Sequence, residues 1–148
     1  MTAKDIVTSL NLAPHPEGGW YRELWRSDVA LGDNTAYAPD RATATAIYYL
    51  LKTGQRSEWH RVDAHELWLW HAGDPLTLSI KAEWDDAPQQ SILGTDLAAG
   101  QQPQIRIPTN YWQAAEPVPT EGGAGYTLVS CIVSPGFEFS GFEMRADC

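Results

Sequence analysis

After one short helix-like stretch, the chain never again sustains a helical pattern; it breaks into brief strand-like runs separated by proline, glycine and asparagine turns. Thr2 to Leu10 places Ile6, Val7 and Leu10 on one face with Thr2 positioned as N-cap. Pro14 and Pro16 forbid its continuation. Strands are predicted at Trp20–Trp25, Ala44–Leu51, Glu58–Val62, Leu67–Trp70, Leu76–Ile80, Ser91–Leu93, Gln104–Ile107, Tyr111–Ala114, Tyr126–Val133 and Glu138–Met144. So many short strands at close spacing imply a sandwich or barrel, an all-β fold with a short N-terminal helix. Ser27 to Arg41 and Glu116 to Gly125 read as surface loops.

A chain of 148 residues fits one domain, here 1–148, large enough to bury roughly 70% of its unfolded surface. Seven Trp and six Tyr supply bulky side chains for that core. The net charge of −9, with ten scattered basic residues, excludes a basic nucleic-acid-binding stripe and disfavours anionic membranes. No segment approaches the length of a membrane span. Two cysteines, Cys131 in an apolar run and Cys148 at the end, read as a buried thiol and a tail thiol. A cytoplasmic location is the expectation.

The chemistry concentrates between Gly54 and Gly73. Strand alternation puts Glu58, His60 and Val62 on one face. A turn at Asp63-Ala64 then brings His65 and Glu66 back beside His60. An imidazole among carboxylates suits metal ligation by Glu58, His60, His65 and Glu66, or general acid–base catalysis by His60, Glu66 and Glu58. Trp68 and Trp70 share the parity of Glu66, as cavity-lining aromatics would. A tyrosine on a facing strand, Tyr48, Tyr49 or Tyr111, is the candidate acid. Glu17 and Arg22 flank Gly18-Gly19, where Arg22 is a candidate for binding an anionic group. His15 and His71 read as peripheral, and Phe137, Phe139 and Phe142 as core closure or a dimer contact.

Gly54, His60, Glu66 and Gly73 match the spacing of the first cupin motif, with Val62 in place of its second histidine. A second register sets Glu58-Trp59-His60 on the His-x-His positions and His65 on the glutamate. Pro108-Thr109-Asn110 resembles the turn of the second motif, and Gln113 stands where its histidine is expected. Pro14 to Glu23, Trp59 to Val62, Gly73 to Leu76 and Ser134 to Phe139 narrow the resemblance to the fifth cupin family. That resemblance implies a double-stranded β-helix, or jelly roll, similar in fold to sugar-nucleotide epimerases and storage proteins, and commonly a homodimer. Many relatives carry histidine in place of Glu58, and the departure weakens the usual metal site.

Three functions follow as expectations. The first is a metal-independent isomerase or epimerase with His60 as general base, acting on a small polar, sugar-like metabolite. The others are a cupin enzyme using a divalent transition metal, and a non-catalytic ligand-binding cupin. Trp68, Trp70, Gln113, Tyr49, Arg22 and Glu17 are the expected binding residues.

Overall fold

The computed structural model describes residues 1–145, so Cys148 lies outside the described residues. Helix α1 (Ala3–Ser9) starts in a capping box. Thr2 Oγ1 accepts the Asp5 N–H at 3.2 Å, and the Asp5 carboxylate accepts the Thr2 N–H at 2.8 Å. Its apolar side packs Ile6, with Val7 and Leu10, on Leu50 and Tyr126. The helix thereby covers the outer face of a sheet whose Leu50 would otherwise meet water. No helix among the described residues is long and apolar enough to cross a membrane.

Eleven strands follow: β1 (Ala13–Pro14), β2 (Trp20–Arg26), β3 (Thr45–Lys52), β4 (Ser57–Val62), β5 (His65–Gly73), β6 (Leu76–Lys81), β7 (Gln89–Leu93), β8 (Gln104–Ile107), β9 (Trp112–Pro117), β10 (Tyr126–Ser134) and β11 (Phe142–Met144). They form a six-stranded sheet in the order β1-β2-β3-β10-β5-β8 and a five-stranded sheet in the order β11-β4-β9-β6-β7. The pairings within both sheets are antiparallel. This is the expected all-β jelly roll. Only the last predicted strand is shortened, because Phe139–Gly141 forms a single 3-10 turn before β11.

Period-2 alternation divides the interior into two zones. Tyr49, Leu51, Trp68, Leu76, Leu78, Leu93, Ile107 and Val129 make an apolar core. One or two steps further along the same strands, the inward positions become Thr45 and Ile47 on β3, Glu66 on β5, and Cys131 and Val133 on β10, and these line a cavity. One end of the barrel is thus packed and the other is hollow.

Asp63-Ala64 was expected to fold β5 back alongside β4. Instead the chain crosses there from one sheet to the other. Arg41 fixes the crossing: its guanidinium grips Asp63 in two bonds of 2.9 and 2.8 Å and donates to the Gly136 carbonyl at 2.8 Å. The loop ending at Arg41 is therefore anchored at its far end by a buried side chain.

Candidate active site

The hollow end is built first by the segment His15 to Gly19, which joins β1 to β2. The His15 N–H bonds the Gly19 carbonyl at 2.9 Å, and the Gly18 N–H bonds the His15 carbonyl at 3.0 Å. This tight turn needs φ of 108° at Gly18 and 77° at Gly19. A side chain at Gly18 would also land on the Arg56 carbonyl oxygen. The Glu58 N–H holds the Glu17 carbonyl at 2.8 Å. The Glu17 side chain is thereby sent into the barrel, where only 6% of the residue stays exposed.

Strand β4 supplies His60. Ser57 pairs with Ala115 but His60 pairs with Gln113, so three steps on β4 oppose two on β9. This bulge puts Ser57 and His60 on the same inner face. Simple alternation assigned that position to Glu58. The structure instead gives Ser57, whose hydroxyl donates to Glu17 Oε1 at 3.1 Å. Glu58 contributes backbone: its carbonyl lies 2.7 Å from His60 Nδ1. A carbonyl only accepts, so Nδ1 carries the proton and Nε2 presents a lone pair. That Nε2 is 3.3 Å from Glu17 Oε2.

Glu66 reaches the cavity from β5 on the facing sheet. Gln113 donates to it at 2.9 Å, and the Trp68 indole N–H donates to Gln113 at 2.8 Å. All three residues are buried. Gln113 and Trp68 thus hold Glu66 from behind rather than line the cavity. Trp68 packs edge-on against Tyr49 at 5.8 Å in the apolar core.

Burial dominates the electrostatics. Desolvation pushes Glu17 up to about 8, against the Ser57 hydrogen bond, and Glu66 up to about 7, against the His60 charge. Both are well above the ordinary carboxylate range. Burial also lowers His60, although the Glu66 charge opposes the shift. His15 falls to about 4, from burial and then from the His60 charge. Its Nδ1 accepts the Glu17 N–H at 3.0 Å, so a neutral His15 carries its proton on Nε2. The two histidines are complementary tautomers, one offering a donor and the other an acceptor. Burial thus moves each titratable group on the cavity floor toward its uncharged form.

The cavity measures about 190 Å³. Its polar floor is His15, Glu17, His60, Glu66 and Cys131, and its walls include Ile47, Val62 and Val133. Tyr21, Glu23, Arg26, Phe137, Glu138 and Phe139 complete the lining. Arg26 ties β2 to the C-terminal segment, bonding Glu23 at 2.7 Å, the Phe137 carbonyl at 2.9 Å and Glu138 at 3.4 Å. The phenylalanines meet edge to face, and Phe142 lies 5.6 Å from the His60 ring.

Several expected site residues lie elsewhere. His65 is exposed and faces Arg106 at 3.4 Å, because it has the opposite parity to Glu66 on β5. Trp70 is half-buried and donates to the Asp74 carbonyl at 3.1 Å, outside the cavity. Arg22 is exposed and bonds the Leu10 carbonyl at 3.1 Å, so it offers nothing to a ligand inside the barrel. Tyr49 gives its hydroxyl to the Gly18 carbonyl. Tyr48 packs with the α1 cluster and Tyr111 against the apolar core. The tyrosine that lines the cavity is Tyr21, in edge contact with His15 at 4.4 Å. His15, read as peripheral, is on the floor. Its signal was its place two residues before Glu17 in a Gly-Gly turn that points both inward.

The proposed metal set is not assembled. Glu58 and His65 are absent from the cavity lining, and among the described residues no three His, Cys, Asp or Glu side chains converge to hold an ion. Both Nδ1 atoms of the cavity histidines are engaged with backbone. Of the two cupin registers, the one aligning Glu66 describes the inner surface, with Val62 lining the cavity where a second histidine would stand.

Comparison with known proteins agrees with this architecture. A hypothetical protein from Leishmania major superposes with a TM-score of 0.89 at 33% identity, covering 98% of this chain and 88% of that one. A crystal structure of a Shewanella oneidensis protein gives 0.84 at 38% identity, covering 98% and 85%. Oxalate decarboxylase from Bacillus subtilis gives 0.59 at 12% identity, covering 88% of this chain and 29% of that one, and this likeness shows the fold alone. A search of the curated proteins gives no match. The family profile described as cupin superfamily (DUF985) matches residues 4–145, and the chain belongs to that family.

Proposed function

We propose that this cupin binds a small polar metabolite in its hollow end and moves a proton on it, with His60 as the general base. The observation that carries the reading is the bond between His60 Nδ1 and the Glu58 carbonyl, which leaves the Nε2 lone pair turned to the cavity floor. A buried neutral imidazole of fixed tautomer is a competent base near neutral pH. The reaction class it fits is removal of a proton beside a carbonyl, the common step of keto–aldo isomerisation and epimerisation. In that step the C–H bond breaks, its proton goes to His60 Nε2, and the electron pair moves to the carbonyl oxygen as an enolate.

The other floor residues suit this step. His15 Nε2–H can donate to the developing oxyanion without carrying a charge of its own. Glu17 and Glu66, whose uncharged forms burial favours, lose their protons more readily once an imidazolium forms beside them, so the charge created on His60 is balanced locally. At 3.3 Å the Glu17–His60 contact is longer than a good O–H···N bond, so a substrate atom can displace it. The acid is thus a carboxylic acid or His15 rather than Tyr48, Tyr49 or Tyr111. A volume of about 190 Å³ limits the ligand to a small metabolite.

The test is proton exchange. Incubated in D₂O with small hydroxy ketones, the protein exchanges deuterium into the carbon next to the carbonyl, seen by proton NMR. His60→Gln, folded by circular dichroism, slows the exchange about 10²-fold or more. Ligand-induced shifts at the cavity without exchange would leave a binding protein and contradict catalysis. A homodimer is proposed as well, supported by the exposed Leu24, Trp25 and Val29 on and beside β2, and light scattering in solution tests it.

A further inference from the structure

We infer that the cavity selects an uncharged hydroxy-carbonyl compound and rejects phosphorylated or otherwise anionic ones, sugar nucleotides included. The inference rests on the binding reading above and adds the substrate's charge.

Arg26 is the only Lys or Arg lining the cavity among the described residues. Its guanidinium is already occupied. Nη2 bonds Glu23 Oε1 at 2.7 Å and the Phe137 carbonyl at 2.9 Å, Nε lies 3.5 Å from Glu23 Oε2, and Nη1 lies 3.4 Å from Glu138 Oε1. One cation is thus matched to two carboxylates that also line the cavity. A phosphate or carboxylate entering here gains no free cation and meets Glu23 and Glu138. The nearby Arg41 gives no help, since both its terminal nitrogens are bound to Asp63.

The floor adds no cation to offset a full negative charge, although it can donate a hydrogen bond to a neutral carbonyl oxygen. It holds two acidic side chains and two histidines whose Nδ1 atoms are spent on backbone groups. A cationic amine is disfavoured for a different reason. Glu17 already accepts from Ser57 and lies against His60, Glu66 already accepts from Gln113, and burial holds both carboxyls toward their uncharged forms, which pair poorly with an ammonium. What the floor can recognise is a hydroxyl or a carbonyl, between one histidine that donates and one that accepts.

The experiment is an NMR titration of the full chain at pH 7.5 with three probes: dihydroxyacetone, dihydroxyacetone phosphate and aminoacetone. Dihydroxyacetone shifts the His60 and Tyr21 signals, and the other two bind about tenfold or more weakly. If the phosphate or the amine binds as tightly as dihydroxyacetone, the charge selection is overturned while the binding reading stands. If no probe moves the cavity signals, the binding reading falls and the inference with it. The double variant Glu23→Gln/Glu138→Gln, which removes the two charges matched to Arg26, raises affinity for the phosphate relative to dihydroxyacetone by about tenfold. An unchanged ratio in a variant that retains its fold would overturn the assignment of selection to those two carboxylates.

Discussion

Glu17 Oε2 and His60 Nε2 stand 3.3 Å apart, although their residues come from a glycine turn and a bulged strand more than forty positions away from one another. Both are almost fully buried, and each shifts toward its uncharged form: the carboxyl is raised to about 8 and the imidazole is lowered. Neutrality is the condition for the proposed chemistry, because only a neutral His60 is a base. The same shifts make the fold itself sensitive to pH.

A carboxyl whose folded-state pKa is raised stabilises the fold fully below its ordinary value, and that contribution is lost as pH rises through the raised one. For Glu17 the window runs from 4.5 to about 8, and for Glu66 from 4.5 to about 7. The lowered histidines act oppositely below 6.5, adding stability as pH rises, and they offset the carboxyls there. Above 6.5 the carboxyls act alone. Urea unfolding is therefore expected to show stability falling by on the order of 2 kcal/mol between pH 6.5 and 8. Glu17→Gln should flatten that decline, and an unchanged slope in the variant would contradict the assignment to Glu17.

Gly18 holds the turn that aims Glu17 inward, at a φ of 108° and against the Arg56 carbonyl. Gly18→Ala is expected to cost about 1–3 kcal/mol or more and to disturb the cavity in the same step. Gly54, with a φ of 90° but open space around it, serves as the control, since its alanine variant carries the backbone cost without the clash. Equal melting temperatures for the two variants would contradict the close approach.

Trp68 supports Glu66 through Gln113, two layers behind the cavity. Trp68→Phe removes the indole N–H and leaves the buried Gln113 oxygen without its donor, an expected loss of about 1–3 kcal/mol. Proton exchange should fall together with stability if Gln113 positions Glu66. Stability lost with exchange intact would limit Trp68 to packing.

Much of the fold was legible because turn chemistry and period-2 patterning are local signals. The capped helix, the run from Tyr126 to Val133 and the Asn110 turn with its φ of 64° all fall where the residues suggested. The site was legible only where simple alternation held. Glu66 and Trp68 share an inner face as their parity required, but the β4 bulge replaced Glu58 by Ser57 there. Such a bulge is set by the partner strand, which no local pattern reports. The crossing at Asp63-Ala64 escaped for a related reason, since it depends on Arg41, distant in sequence. His15 lay in a short turn with no periodicity to orient it, and the Gly18-Gly19 pair was the only hint that the segment enters the barrel.

The central claim is the protonation pattern of the two cavity histidines, and nitrogen-15 NMR of the imidazole rings at pH 7 measures it directly. The account predicts two neutral rings of opposite tautomer, with the proton on Nδ1 in His60 and on Nε2 in His15. An imidazolium at His60, or a proton on its Nε2, would remove the lone pair from the cavity and contradict the proposed base.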